Sequence, residues 1–88
     1  MKKITIYADR GHAWGAVKMD ELDALGIADK ISEYSYQRGD IAYLEEDCDL
    51  GLYLNAIKAA GEGFEFVEKY TDGDSPIRSF GRFTGAAK

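Results

Sequence analysis

The apolar residues of this chain change their spacing several times, and this alternation constrains the fold more than any other feature. Residues 3–8 alternate apolar and polar side chains, which is the two-residue period of a half-buried strand. Met19, Leu22 and Leu25 instead recur every three residues, and residues 50–57 hold apolar side chains at the i, i+3, i+4 and i+7 positions of a helix. The chain therefore combines strands and helices within 88 residues.

These patterns, and the turn residues between them, predict an α+β fold. The predicted segments are strands over residues 3–8, 12–17, 31–37, 41–45 and 64–70, and helices over residues 19–25 and 50–60. The order β-β-α-β-β-α-β favours a two-layer sandwich in which two helices cover a mostly antiparallel sheet. Because a chain of this length supports one small core, we expect a single domain over residues 1–88, with an irregular C-terminal arm over residues 75–88.

Composition argues against several classes of protein. A single cysteine, Cys48, allows no disulfide within the chain and no zinc site built of cysteines alone, and it indicates a reducing compartment. The apolar run near the N-terminus stops at Asp9, which is too short for a secretory signal. No segment approaches the ~20 apolar residues of a membrane span, so we expect no membrane contact. The net charge of −5 argues against a dedicated nucleic-acid binder.

The acidic residues are concentrated in the middle of the chain. Residues 20–49 hold ten acidic and two basic residues, and four of these acids lie in residues 45–49, which we call the acidic segment. One interpretation is that Asp47 or Asp49 caps the following helix. A second is a divalent-cation site, although the run from Asp47 departs from the EF-hand pattern at its fifth and twelfth positions. A third is an exposed anionic patch that attracts a basic protein surface.

Tyrosines lie close to the acidic segment. Three of them fall on one predicted hairpin, and tyrosine combines apolar contact area with a hydrogen-bonding tip, which suits protein interfaces. Carboxylates with neighbouring tyrosines would imitate the phosphates that a basic surface normally holds. The candidate partner-binding residues are Glu45, Glu46, Asp47 and Asp49 of the acidic segment, Tyr34, Tyr36 and Tyr43 of the hairpin, and Asp20, Glu21 and Asp23 of the first helix.

No combination of residues predicts catalysis. Cys48 and His12 are the only residues of their kinds, and the carboxylates around Cys48 disfavour the thiolate that a nucleophile requires. The glycines form no phosphate-binding loop, and no serine stands in a nucleophile elbow. We therefore expect no enzyme activity, no cofactor and no metal site.

The C-terminal arm offers an alternative function. Residues 77–83 interleave Arg78 and Arg82 with phenylalanines, a pattern that stacks on single-stranded nucleic acid. Two arginines are few for that purpose in an acidic chain. The other interpretation is that these aromatic side chains lie across the sheet as a closing arm.

Three stretches together resemble a group of small proteins carried by bacteriophages and plasmids. They are Gly11-His12-Ala13-Trp14, Leu25-Gly26-Ile27, and the run from Ser35-Tyr36-Gln37-Arg38-Gly39-Asp40 into Ala42-Tyr43-Leu44-Glu45-Glu46-Asp47-Cys48-Asp49. The resemblance spans roughly residues 3–80, and residues 36–49 are its most specific part. It implies an accessory protein of a mobile element inside a bacterial cell. Small acidic proteins in that setting are often inhibitors of host defence, such as anti-CRISPR or anti-restriction proteins.

The resulting hypothesis is a non-enzymatic inhibitor in the bacterial cytoplasm. Its acidic, tyrosine-rich patch would bind a basic, nucleic-acid-binding surface of a host defence protein or complex, without binding nucleic acid directly. The alternative is a small nucleic-acid-associated or regulatory protein that uses the arm around Arg78 and Arg82.

Overall fold

A computed structural model describes residues 1–85 of the chain. In this part the fold is α+β, with a six-stranded, mostly antiparallel sheet and two α-helices, so the predicted fold class is confirmed. The strands are β1 (Lys2–Ala8), β2 (Ala13–Lys18), β3 (Tyr36–Arg38), β4 (Ile41–Glu45), β5 (Phe64–Tyr70) and β6 (Gly81–Arg82), and the helices are α1 (Met19–Ala24) and α2 (Leu50–Ala59).

The strands are arranged in the order β5-β1-β2-β4-β3-β6. Neighbouring strands are antiparallel except for β5, which runs parallel to β1 and places Phe66 opposite Ile4. β5 and β6 therefore form the two edges of the sheet. The tight turn between β3 and β4 contains Gly39 at a φ of 62°, a left-handed conformation that glycine adopts without a steric penalty.

Alternation along the strands gives the sheet an inner and an outer face. Ile4, Ile6 and Leu44 lie on the inner face, where both helices bury them in the main core. The outer face carries Trp14 and its cross-strand neighbour Tyr7. It is partly covered by the C-terminal segment. The aromatic side chains that the sequence distributed over two strands thus share one face of the sheet.

Both helices end as their sequences predict. After α1, Gly26 adopts a φ of 72°, and the N–H of the buried Ile27 donates to the carbonyl oxygen of Leu22 at 3.1 Å. After α2, Gly61 adopts a φ of 83°. Neither helix within residues 1–85 has the length and continuous apolar character needed to cross a membrane.

Two predicted segments differ from the structure. The strand expected over residues 31–37 is reduced to β3, because the Asp49 carboxylate accepts the backbone N–H of Ser32 that strand pairing would otherwise use. The arm expected to be irregular contains a 3₁₀ turn (Pro76–Ser79) and β6, and Phe83 is buried in the main core. Residues 86–88 of this arm lie outside the described residues.

Candidate functional site

A cleft opens on the outer face, where β2, β4, β3 and β6 lie side by side. Its volume of about 340 Å³ falls in the range that holds a small ligand or the side chains of a partner. The cleft is lined by His12, Trp14, Tyr34, Tyr36, Glu45, Asp47, Cys48, Arg78 and Arg82. It therefore brings together an aromatic surface, two carboxylates and two guanidinium groups from separate parts of the chain.

Aromatic rings and arginines stack on one side of the cleft. The Trp14 and Tyr36 rings meet edge to face with their centroids 6.2 Å apart. The guanidinium carbon of Arg78 lies 5.4 Å from the Trp14 ring centroid, and that of Arg82 lies 5.0 Å from the Tyr36 ring centroid. Both distances suit cation–π attraction, so these rings already hold positive groups within the chain.

Arg78 is fixed by the buried side chain of Asp9. Its Nε and Nη2 atoms donate to the two carboxylate oxygens at 2.6 and 2.9 Å. The same carboxylate accepts the backbone N–H groups of Gly11, His12 and Ser75. The Arg78 hydrogen bonds, followed by these backbone donors, hold the pKa of Asp9 far below its usual range. The C-terminal segment is thereby tied to the turn between β1 and β2.

Glu45 of the acidic segment is buried and engaged within the chain. Its Oε1 atom accepts the backbone N–H groups of Asp47 at 2.7 Å and Cys48 at 3.1 Å. Its Oε2 atom lies 3.2 Å from Nδ1 of His12. The carboxylate therefore stabilises the turn before α2, and the prediction that Glu45 belongs to an exposed patch is wrong.

Asp49 is also buried, with 3% of its surface exposed. Its carboxylate accepts hydrogen bonds from the backbone N–H and hydroxyl of Ser32 and from the hydroxyl of Ser35. It stands at the N-cap position of α2 but makes no capping hydrogen bond there. Asp49 thus joins α2 to the segment before β3, so it is neither an exposed acid nor the predicted cap.

Glu46 and Asp47 are the two exposed acids of the acidic segment. Asp47 lines the cleft, whereas Glu46 lines a separate recess on the inner-face side together with Leu50. Desolvation, followed by the charges of Asp47 and Glu45, raises the pKa of Glu46. Within the acidic segment, Asp47 is therefore the exposed carboxylate that faces the cleft.

The acids of α1 lie at the opposite end of the sheet from the acidic segment. Glu21 forms an ion pair of 3.0 Å with Lys2 and accepts the Tyr53 hydroxyl at 2.6 Å. Lys2 begins β1, whereas Glu45 pairs across from Trp14 at the end where β1 finishes. Asp20 and Asp23, on either side of Glu21, are exposed. Asp20, Glu21 and Asp23 were expected to add to the acidic patch if the fold brought them close to it, and the fold places them apart from it.

The three predicted tyrosines occupy different environments. Tyr34 lines the cleft with 62% of its surface exposed, and Tyr36 lines it half-buried. Tyr43 faces a neighbouring recess instead, where its ring centroid lies 5.1 Å from that of Phe80 and 6.1 Å from that of Tyr7. Tyr34 and Tyr36 therefore belong to the cleft, whereas Tyr43 supports the turn that covers the outer face.

His12 and Cys48 both line the cleft. Desolvation, a hydrogen bond to Glu45 and the nearby carboxylates raise the pKa of the Cys48 thiol, which disfavours the thiolate. One ligand atom each from His12, Glu45 and Glu46 lies within 4.8 Å of the others, so these residues have the spacing to hold a divalent cation. Both oxygens of Glu45 already accept hydrogen bonds, however, and Asp49 is committed to serine donors. The proximity of His12 to Glu45 is thus accounted for by their own contact of 3.2 Å.

The Trp14 indole leaves one polar atom unsatisfied. Its Nε1 is buried, and within residues 1–85 it is the one buried side-chain nitrogen or oxygen without a hydrogen-bond partner. An unpaired buried donor costs about 1–3 kcal/mol, and such groups concentrate at sites whose polar atoms meet a ligand or a bound water. This donor belongs to a residue of the cleft.

Sequence reasoning missed Asp9, Trp14 and Arg78 as residues of one site. Arg78 and Asp9 are 69 positions apart, so no local pattern links them. The available signal was a charged residue, Asp9, directly after the alternating pattern of the first strand. An acidic residue directly after a half-buried strand predicts a basic partner elsewhere in the chain.

No protein-family model matches the chain, and comparison with the curated proteins and with the solved structures finds no match. The geometry of the cleft and the chemistry of its residues therefore carry the functional argument.

Proposed function

We propose that the chain is a non-enzymatic binding protein that docks through the cleft onto the basic surface of a protein partner. The observation that carries this proposal is the position of Tyr34 and Asp47. Both are exposed, and both line a cleft whose aromatic side is formed by Trp14 and Tyr36. A carboxylate and an exposed aromatic ring in one cleft suit the capture of a lysine or arginine side chain.

Arg82 supports this choice of ligand. Its guanidinium lies over the Tyr36 ring, and its Nη1 donates to the Glu33 carbonyl oxygen at 3.3 Å. The chain itself therefore satisfies a guanidinium group with a ring face and an oxygen acceptor. Tyr34 and Asp47 offer the same two chemical groups to an incoming basic side chain.

The finer proposal is an inhibitor that acts inside a bacterial cell. The resemblance to proteins of bacteriophages and plasmids supports a partner in host defence whose basic surface normally holds nucleic acid. Asp47 would replace a phosphate there and Tyr34 would add contact area, while Glu45 and Asp49 hold the segment in shape. The raised pKa of the Cys48 thiol is a reason to propose binding rather than catalysis.

The test is a comparison of matched variants in a pull-down from bacterial lysate. The wild-type chain should retain one stoichiometric partner that is released as salt rises. The double variant Tyr34→Ala, Asp47→Ala should retain at least about tenfold less of it, because the variant removes both the contact area and the attracting charge. Asp72→Ala removes the same charge from the loop after β5 and should retain the wild-type amount. Equal retention by all three proteins would disprove the proposal.

A second candidate function is nucleic-acid binding. Arg38 and Arg82 lie on the outer face, where their guanidinium carbons stand 5.1 and 5.0 Å from the Phe80 and Tyr36 ring centroids. Exposed arginines over aromatic rings also suit stacked bases. In an electrophoretic mobility assay, the wild-type chain would then shift a labelled oligonucleotide. The double variant Arg38→Ala, Arg82→Ala would no longer shift it, whereas Arg10→Ala would still do so. Arg10 is the matched control, because it is exposed in the turn before β2.

A further inference from the structure

β5 is an edge strand with a free outer side. It pairs with β1 along its whole length, from Lys2 opposite Phe64 to Ala8 opposite Tyr70. Within the described residues 1–85, no strand pairs with its other side. Six of its seven residues are exposed, so no helix or loop in the described part of the chain covers this edge. Its outward-facing N–H and C=O groups are therefore available to another strand.

Apolar and aromatic side chains are exposed along β5 between its charged residues. Phe66, Val67 and Tyr70 are exposed over 51%, 42% and 61% of their surfaces. Phe66 also lines a recess of about 270 Å³ together with Ile6 and Leu50 on the inner-face side of the edge. Large apolar side chains that are exposed along an unpaired seven-residue edge are typical of a surface that a partner covers.

We infer that a second copy of this chain pairs with β5 in antiparallel orientation and forms a two-fold symmetric dimer. The sequence of β5 is complementary to itself when the symmetry axis passes through Val67. Glu65 then lies opposite Lys69 of the second copy, and Lys69 lies opposite Glu65 of the second copy. Directly opposed side chains share a face in antiparallel pairs, so two Glu–Lys pairs form on the outer face.

The aromatic residues fit the same register. Phe64 lies opposite Tyr70 of the second copy, and the pair occurs twice by symmetry. On the same face, Phe66 comes within diagonal reach of Phe66 and Tyr70 of the second copy, beside the recess with Ile6 and Leu50. These contacts would cover the apolar side chains that the single chain exposes.

Neighbouring registers lack this complementarity. An axis through Glu68 would place the two Glu68 carboxylates opposite each other, and an axis through Phe66 would leave no Glu directly opposite a Lys of β5. The axis through Val67 also places Phe66 opposite Glu68, but among these three registers it alone forms Glu–Lys pairs within β5. The charge pattern therefore selects one register and one occupant, a second copy of the chain. The cleft lies across the sheet toward β6, so the dimer leaves both clefts open.

Charge reversal across the axis tests the inference. Sedimentation of the wild-type chain from about 1 µM to about 1 mM should show a monomer–dimer equilibrium. Lys69→Glu should weaken dimerisation at least about tenfold, because it replaces two opposite-charge pairs with two like-charge pairs. Glu65→Lys should do the same. The double variant Glu65→Lys, Lys69→Glu should dimerise again, and so should an equimolar mixture of the two single variants. Lys30→Glu changes the net charge equally on the exposed turn after α1 and should dimerise like the wild type.

Other outcomes of these experiments would overturn the proposed dimer. A wild-type chain that stays monomeric over this range, or a dimer that Lys69→Glu does not weaken, would overturn the inference. If a variant fails to fold, amide hydrogen exchange of the wild type gives an independent answer. Protection of the β5 amides should rise with protein concentration, and protection that does not change with concentration would also overturn it.

Discussion

At the scale of single residues, the acidic segment divides into internal and external carboxylates. Glu45 and Asp49 face into the chain, where each collects several hydrogen-bond donors, whereas Glu46 and Asp47 face outward. Their spacing in sequence does not reveal this division, because Asp49 meets Ser32 from 17 positions away. Charge alone therefore overstated the exposed acidic surface, and the hydrogen-bond partners decide which acids remain available.

Matched substitutions of Asp49 and Asp47 test this division. Asp49→Ala leaves the donors of the half-buried Ser32 and the buried Ser35 without their acceptor and should lower the free energy of unfolding by about 2–4 kcal/mol. Asp47→Ala removes an exposed carboxylate and should change it by no more than about 0.5 kcal/mol. Urea denaturation measures both values. Equal effects of the two substitutions would show that Asp49 has no special structural role.

Asp9 should make stability depend on pH. Because Arg78 and backbone donors depress its pKa, its carboxylate stabilises the fold above its unfolded pKa of about 3.9, and this stabilisation is lost as the pH falls below that value. Asp9→Asn should therefore lower the midpoint of thermal unfolding at neutral pH. The difference in midpoint between the variant and the wild type should become smaller as the pH falls from about 5 to about 2. Thermal scans across this range measure the difference, and Asp29→Asn on the exposed turn after α1 is the control. A difference in unfolding midpoint that stays constant over this pH range would show that the Asp9 carboxylate does not stabilise the fold in this way.

At the scale of secondary-structure elements, the sequence predicted those strands and helices that depend on residues close together in the chain. The period of two residues identified β1, β2, β4 and β5, and the helical spacing identified α1 and α2 with their glycine ends. The turn over residues 32–35 was missed because it depends on Asp49, and the two-residue β6 was missed because it is too short to show a period. Tyr34, Tyr36 and Asp47 of the cleft were identified from the sequence, but their assembly with Trp14 and Arg78 depends on strand pairing between distant segments.

The contact between β2 and α2 depends on the absence of a side chain at Gly15. A Cβ atom there would come within 2.6 Å of Cδ1 of Leu50, so Gly15→Ala requires the buried Leu50 side chain to repack or α2 to shift. We expect it to lower the free energy of unfolding by about 1–3 kcal/mol. Gly51→Ala is the matched control. Gly51 lies in α2, and a Cβ atom at this position would have no other atom within 4 Å. Gly51→Ala should raise the free energy of unfolding by up to about 1 kcal/mol, and a loss equal to that of Gly15→Ala would contradict the packing argument.

At the scale of the whole molecule, two surfaces lie toward opposite edges of one sheet. The cleft is built by β2, β4, β3 and β6, whereas β5 forms the other edge. A pairing between β5 strands would present two clefts on one assembly, and two linked sites raise the apparent affinity for a partner with repeated basic surfaces. Binding through the cleft does not require this pairing, so each proposal stands or falls by its own experiment.

The central claim is that the cleft on the outer face is where the partner docks. The most direct measurement places a photoreactive p-benzoylphenylalanine at position 34 or, as a control, at the exposed position 62 after α2, and irradiates each protein in bacterial lysate. If the partner docks at the cleft, position 34 should give one dominant covalent adduct with a basic protein, Asp47→Ala should suppress that adduct, and position 62 should give none. Adducts that form equally from both positions, or that persist unchanged with Asp47→Ala, would contradict this claim.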